Sequence, residues 1–181
     1  MERTDEYRKA LDVPISELSI DRIIEEIRRQ PENFEALYHL TTDEKLLVSW
    51  RALWVCDKLC RQYPDWFAPL REELTGRLVT CKHDGSKRLL LSILYHAPAE
   101  EIPSVELLNF CLDCMLSRHE SIGVQSLAVR MAYHLCKRQV QARTRTAQRT
   151  ADHTGKHRYG TVFDRCKNNC AEHIEENKSE E

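Results

Sequence analysis

Glycine is scarce, five in 181 residues, and the five are isolated from one another. No loop therefore has the run of small residues that lets backbone N–H groups close around a phosphate, which argues against a nucleotide-binding P-loop or dinucleotide fingerprint. The chain also lacks G-x-S-x-G and H-E-x-x-H, so two common hydrolase signatures are absent. No apolar run approaches the ~18 residues of a spanning helix. The chain has no large charge of either sign: its net charge is -2, without the electrostatic footprint of a general nucleic-acid binder. The charged opening Met1-Glu2-Arg3-Thr4-Asp5-Glu6 leads into no apolar stretch. No signal peptide is expected, and a cytoplasmic location with its eight cysteines as reduced thiols follows as an expectation.

What is present is a repeat. The stretch beginning at Val48 aligns with one beginning at Ser86 and another beginning at Val124, each 38 residues on. Its inward positions read Ala52, Val55, Cys56 and Leu59, then Leu90, Ile93, Leu94 and Ala97, then Ala128, Met131, Ala132 and Leu135. Gly85 and Gly123 also stand 38 apart, just ahead of the second and third copies. A single helical hairpin cannot bury its apolar stripe, whereas stacked hairpins share one continuous core.

Helical spacing supplies the other elements. Ile20, Ile23, Ile24 and Ile27 mark a first helix from about Ile20 to Gln30, closed by Pro31. A short helix is expected over Phe34–Leu40, and Asp43 is placed to cap the first copy, which ends before Pro64. The next stripe runs through Trp66, Phe67, Leu70, Leu74, Leu78 and Val79 to an Asp84-Gly85 turn. Val105, Leu108, Leu112 and Leu116 form its counterpart, with Leu74 and Leu78 mapping onto Leu112 and Leu116. The third copy is expected to end at about Arg138, and residues 1–18 are weakly patterned.

The period and the helical pairs resemble the HEAT/armadillo-like helical repeat family over about residues 20–138. The resemblance implies an all-α fold: a right-handed α-α superhelix of stacked helical hairpins with a period of about 38 residues. It implies a non-enzymatic protein-interaction scaffold without cofactor, whose partner the fold does not name. An alternative is a nucleic-acid binder resembling the HEAT-like DNA alkylation repair proteins. That alternative needs a basic groove, and residues 1–138 carry 19 Lys and Arg against 22 Asp and Glu, a net -3. A third reading, an enzyme of adenylosuccinate lyase type, rests on helicity alone. The Ser- and Gly-rich loop of that family, with its Met-Pro-x-Lys-x-Asn, is absent.

Residues 139–181 differ from the body. Residues 1–138 contain 21 leucines and the remainder none. The organisation expected is a helical repeat domain over 1–138 and a polar tail over 139–181, either flexible or the product of a shifted reading frame. In that tail His153, His157, Cys166 and Cys170 form H-x3-H and C-x3-C, a donor set zinc accepts. The spacing matches no familiar zinc pattern, and no metal is expected. Cys111 and Cys114 form a C-x-x-C, but inside an apolar helix, where two small inward residues are the better reading than a redox pair.

The 38-residue register aligns one surface set. Trp54 corresponds to Arg130, Lys58 to His96 and His134, and Asp57 to Tyr95 and Tyr133. Trp54, Lys58, Tyr95, His96, Arg130, Tyr133 and His134 are expected to form a strip of aromatic and basic groups for a partner, with residues 54, 57 and 61 pointing away from the core. The competing reading gives the same residues to helix-end electrostatics and to sealing between repeats.

Overall fold

The computed structural model describes residues 2–14, 16–98 and 104–151. These residues form helices α1 (Glu2–Asp12), α2 (Glu17–Arg29), α3 (Asn33–His39), α4 (Leu46–Gln62), α5 (Arg71–Thr80), α6 (Asp84–His96), α7 (Val105–Leu116) and α8 (Ile122–Ala151). There are 3₁₀ turns over Leu40–Thr42 and Pro64–Leu70, and no strand among the described residues.

Local chemistry sets the boundaries. The Ser16 hydroxyl accepts the backbone N–H of Ser19 at 3.2 Å and opens α2, whose Ile20, Ile23, Ile24 and Ile27 are all buried. Ser104 does the same for α7 through the N–H of Leu107 at 3.2 Å. The His83 ring nitrogen caps α6 by accepting from Ser86 N–H at 3.1 Å. Pro64 and Pro98 lie just past the ends of α4 and α6, where a missing N–H and fixed φ stop a helix.

The helices α4, α6 and α8 form a central row: α4 packs on α6, and α6 on α8. Outside it, α5 packs on α6 and α7, and α7 on α8. The row helices begin at Leu46, Asp84 and Ile122, successive starts 38 residues apart. All twelve inward positions read from the repeat are buried, from Ala52 through Leu135. Each fully buried Leu, Ile or Met contributes roughly 1.5–3 kcal/mol, so this ladder is the main cohesion of the row.

The two repeat glycines have a packing cause. A Cβ on Gly85 would lie 2.8 Å from Trp50 Nε1, and one on Gly123 would lie 3.3 Å from Arg88 Cδ. Trp50 and Arg88 are themselves 38 residues apart. The same position of each row helix thus presses on the second residue of the next.

Several expectations are corrected. Residues 1–18 hold α1, whose Tyr7 and Leu11 are buried. Arg51 donates to the carbonyls of Leu11 at 2.7 Å and Val13 at 2.6 Å, tying the end of α1 to α4. Asp43 is not the cap of α4, which Lys45 precedes; Asp43 instead accepts from Lys45 N–H at 2.9 Å and pairs with Arg8 at 2.6 Å. Asp84 and Gly85 are the first turn of α6, not a separate turn. On α7 the buried residues are Leu107, Cys111 and Cys114, while Val105 and Leu116 are 64% and 68% exposed. Apolar side chains surround α7, so its spacing alone did not choose a face.

The row helix expected to end at Arg138 continues to Ala151. Gln141, Ala142, Arg143, Ala147, Gln148 and Arg149 are good helix formers. The zinc candidates His153, His157, Cys166 and Cys170 lie outside the described residues.

Candidate functional site

The seven aligned surface residues fall into three places. Tyr95 and His96, at the C-terminal end of α6, meet His134 of α8: the ring centroids are 5.3 Å apart for Tyr95–His96 and 5.7 Å for Tyr95–His134. All three are partly exposed. Trp54 and Lys58 sit on α4 beneath α2. Trp54 stacks on Trp50 at 6.1 Å, and Lys58 Nζ lies 6.0 Å from the Trp54 ring. Lys58 is already engaged, donating to Glu17 at 3.0 Å and Asp21 at 2.9 Å, and both partners hold its ammonium above the ordinary lysine range. Arg130 and Tyr133 are exposed on α8, Tyr133 by 56%.

Asp57, expected to point outward, is buried at 7% exposure. Its Oδ2 accepts from Arg61 Nη2 at 3.2 Å, and Arg61 also donates to Ser92 Oγ at 3.1 Å across the α4–α6 contact. Asp57 Oδ1 has no hydrogen-bond partner among the described residues. Arg61, spaced four residues from Asp57 on one helix face, was legible as a pair. Ser92 and the burial were not.

Beneath the ring cluster lies Arg71, a buried side chain of α5 that sequence reasoning also missed. Its Nη1 donates to the carbonyls of Leu94 at 2.8 Å and Ala97 at 3.2 Å. Those carbonyls belong to the end of α6, where helical acceptors go unsatisfied, so Arg71 fixes the turn that presents Tyr95 and His96.

Electrostatics keep both histidines neutral further into acid than usual. Burial lowers the pKa of His96, Arg61 lowers it further, and Asp57 opposes. Burial again comes first for His134, followed by Arg138, Arg71 and Lys137. Near neutral pH the cluster offers two uncharged imidazoles beside the Tyr95 ring, edged by Arg61, Arg138 and Lys137.

The thiols are packing groups. Cys111 and Cys114 are buried within α7, and burial pushes them up to about 12 and about 11. Cys56 is raised by burial too, and Cys60 reaches about 12 for the same reason. Among the described residues no group of His, Cys, Asp and Glu is disposed to hold a metal ion, and no helix is long and apolar enough to cross a membrane.

The family model described as HEAT repeat domain matches residues 7–143. The match begins well before the expected residue 20, taking in most of α1, and ends beyond Arg138, within α8. No curated protein and no solved structure matches the chain. The chain belongs to the HEAT repeat domain family.

Proposed function

We propose that this HEAT repeat chain is a non-enzymatic scaffold that holds an acidic protein segment at the Tyr95–His96–His134 cluster. HEAT repeats commonly serve as protein-interaction scaffolds. The observation that carries the reading is the convergence of three partly exposed rings from two row helices, edged by Arg61 and Lys137. Aromatic rings contribute area at low entropic cost, and a cationic rim steers and orients an acidic partner. Among the described residues, the carboxylate that acts on His96 is Asp57, which is buried and paired with Arg61. The proposal includes a right-handed superhelical stacking of the hairpins, a working body over 1–138 with 139–181 as an appendage, and a cytoplasmic setting.

The test selects peptides from a random library on the wild-type chain and measures the affinity of the enriched sequences. Acidic sequences are expected, and Tyr95→Ala with His134→Ala should weaken them more than tenfold, about 1.4 kcal/mol. Enriched peptides that ignore this double change would refute the site. A gel shift with duplex DNA separates the nucleic-acid alternative, which requires affinity that falls steeply with salt.

A further inference from the structure

Inside the row, each helix is covered by the next along a constant set of positions. Cys60 of α4 donates its thiol to the Ile93 carbonyl of α6 at 3.5 Å, and Arg61 reaches Ser92 at 3.1 Å. Tyr95 of α6 packs on His134 of α8 at 5.7 Å. Moved along by the 38-residue register, Cys60 becomes Cys136, Arg61 becomes Lys137 and Tyr95 becomes Tyr133. Leu53 and Leu91, 2% and 0% exposed, become Val129, which is only partly buried. Ile122 is 84% exposed, Tyr133 56% and Val140 37%. This side of α8 is a stacking face that no further described helix covers.

We infer that this face docks a second copy of the chain, α8 against α8, about a two-fold axis. The residues after Ala151 contain no leucine, and their large apolar side chains are only Tyr159, Val162, Phe163 and Ile174. The inward ladder of the row's helices is richer in large apolar residues than this stretch. The face itself is self-complementary. Ile122, Val129, Tyr133 and Val140 are spaced 7, 4 and 7, a pattern that reads the same in both directions about the level of Met131. Antiparallel packing at that register sets Ile122 opposite Val140 of the second copy and Val129 opposite its Tyr133. Isologous contacts require this kind of symmetry. Level with Lys137 comes Gln125 of the second copy, and level with Arg130 comes the buried Ala132, so like charges do not face each other.

The size is consistent with a modest dimer. α8 has 30 residues. Its stretch from Ile122 to Val140, at 1.5 Å per residue, is ~27 Å long, which with a ~10 Å width gives a face of ~270 Å². Specific interfaces bury ~800 Å² per partner, so this seam alone makes a weak pair.

Sedimentation equilibrium of the full chain in the micromolar range tests this. The wild type should give twice 21.3 kDa. Val129→Glu and Tyr133→Lys should each weaken the dimer at least tenfold, with helicity retained by circular dichroism. Mixed in equal amounts they should dimerise again, because the Glu of one variant faces the Lys of the other while the second Val–Tyr contact stays native. If Val129→Glu loses helicity, Tyr133→Lys alone decides, since Tyr133 is exposed and its replacement leaves the core intact. A monomeric wild type, an open-ended polymer, a dimer indifferent to Tyr133→Lys, or a mixture of folded variants that stays monomeric would each overturn the inference.

Discussion

The glycines separate packing from helix propensity within one chain. A Cβ on Gly85 would stand 2.8 Å from Trp50 Nε1, 2.9 Å from His83 Cε1 and 3.3 Å from Trp50 Cδ1, so Gly85→Ala forces two rings to move at once. Trp50 is held against Trp54 at 6.1 Å, and its buried indole nitrogen has no hydrogen-bond partner among the described residues. Overpacking of this kind costs ~1–3 kcal/mol. Alanine's helix propensity returns less than ~1 kcal/mol in a first turn. Gly85→Ala should therefore destabilise by ~1–2 kcal/mol, about 2–8 °C in Tm for a chain of this size. Gly76, in the middle of α5, has nothing within 4 Å of its would-be Cβ. Gly76→Ala should stabilise by ~0.5–1 kcal/mol. Gly123→Ala, which meets only the flexible Arg88 side chain at 3.3 Å, should stay within ~0.5 kcal/mol of wild type. Urea unfolding of the three variants, followed by circular dichroism, gives the order. A Gly85→Ala chain as stable as Gly76→Ala would show that the Trp50 contact does not govern this position.

Arg71→Met should cost about 2–4 kcal/mol by stranding the carbonyls of Leu94 and Ala97, measured by urea unfolding. The same change should raise the NMR titration midpoint of His134, which Arg71 helps to lower; an unmoved midpoint would deny the proximity. The folded chain resists protonation of His96 and His134, whereas the unfolded chain takes up those protons near the ordinary 6.5. Stability from these groups is therefore full above that value and is lost as pH falls through their lowered folded values. His96→Gln with His134→Gln should flatten the fall in Tm between about pH 7 and about pH 5, and an unchanged slope would contradict it. A thiol reagent should modify the partly exposed Cys81 and Cys136 quickly and Cys56, Cys60, Cys111 and Cys114 slowly, as peptide mapping would record. Fast labelling of Cys111 in the folded chain would show that α7 opens.

The row α4, α6 and α8 was legible because one face of each helix carries apolar residues at a fixed register, and burial follows that register through Leu59, Ala97 and Leu135. The outer helix α7 was not legible in the same way. Val105, Leu108, Leu112 and Leu116 look more apolar than Cys111 and Cys114, yet the smaller thiols fit the close contact, Leu108 and Leu112 are only partly buried, and Val105 and Leu116 are left toward solvent. α1 escaped notice because two buried residues, Tyr7 and Leu11, fix it, while the rest of its attachment is polar and long-range. The surface set suffered from the same blindness. Register aligned Lys58 with His96 and His134, but it says nothing of Glu17 and Asp21 of α2, which close over Lys58 and take its donors. Lys58→Ala accordingly removes a tie between α2 and α4, an effect that a set of free surface cations would not have.

The two ends of the row are treated differently, and this bears on how the chain is used. At the N-terminal end, Arg8 pairs with Asp43, Lys45 pairs with Asp12, and Arg51 holds the end of α1, so α1 is tied to the first row helix, although Leu46 at its start is 54% exposed. At the C-terminal end, α8 leaves Ile122 and Tyr133 exposed. Pairing of two chains through α8 would place two Tyr95–His96–His134 clusters on one assembly, each next to the α8 seam. A partner bearing two acidic segments on a linker of matching span would then bind far more tightly than one bearing a single segment, because its second contact forms at high effective concentration. Tyr133→Lys should abolish that difference while leaving the affinity for a single acidic peptide within about twofold of wild type, since Tyr133 lies apart from the ring cluster. Calorimetric titration with one-segment and two-segment peptides measures both quantities. A loss of single-segment affinity matching the loss of two-segment affinity would mean that Tyr133 belongs to the binding cluster itself and not to a separate face between copies.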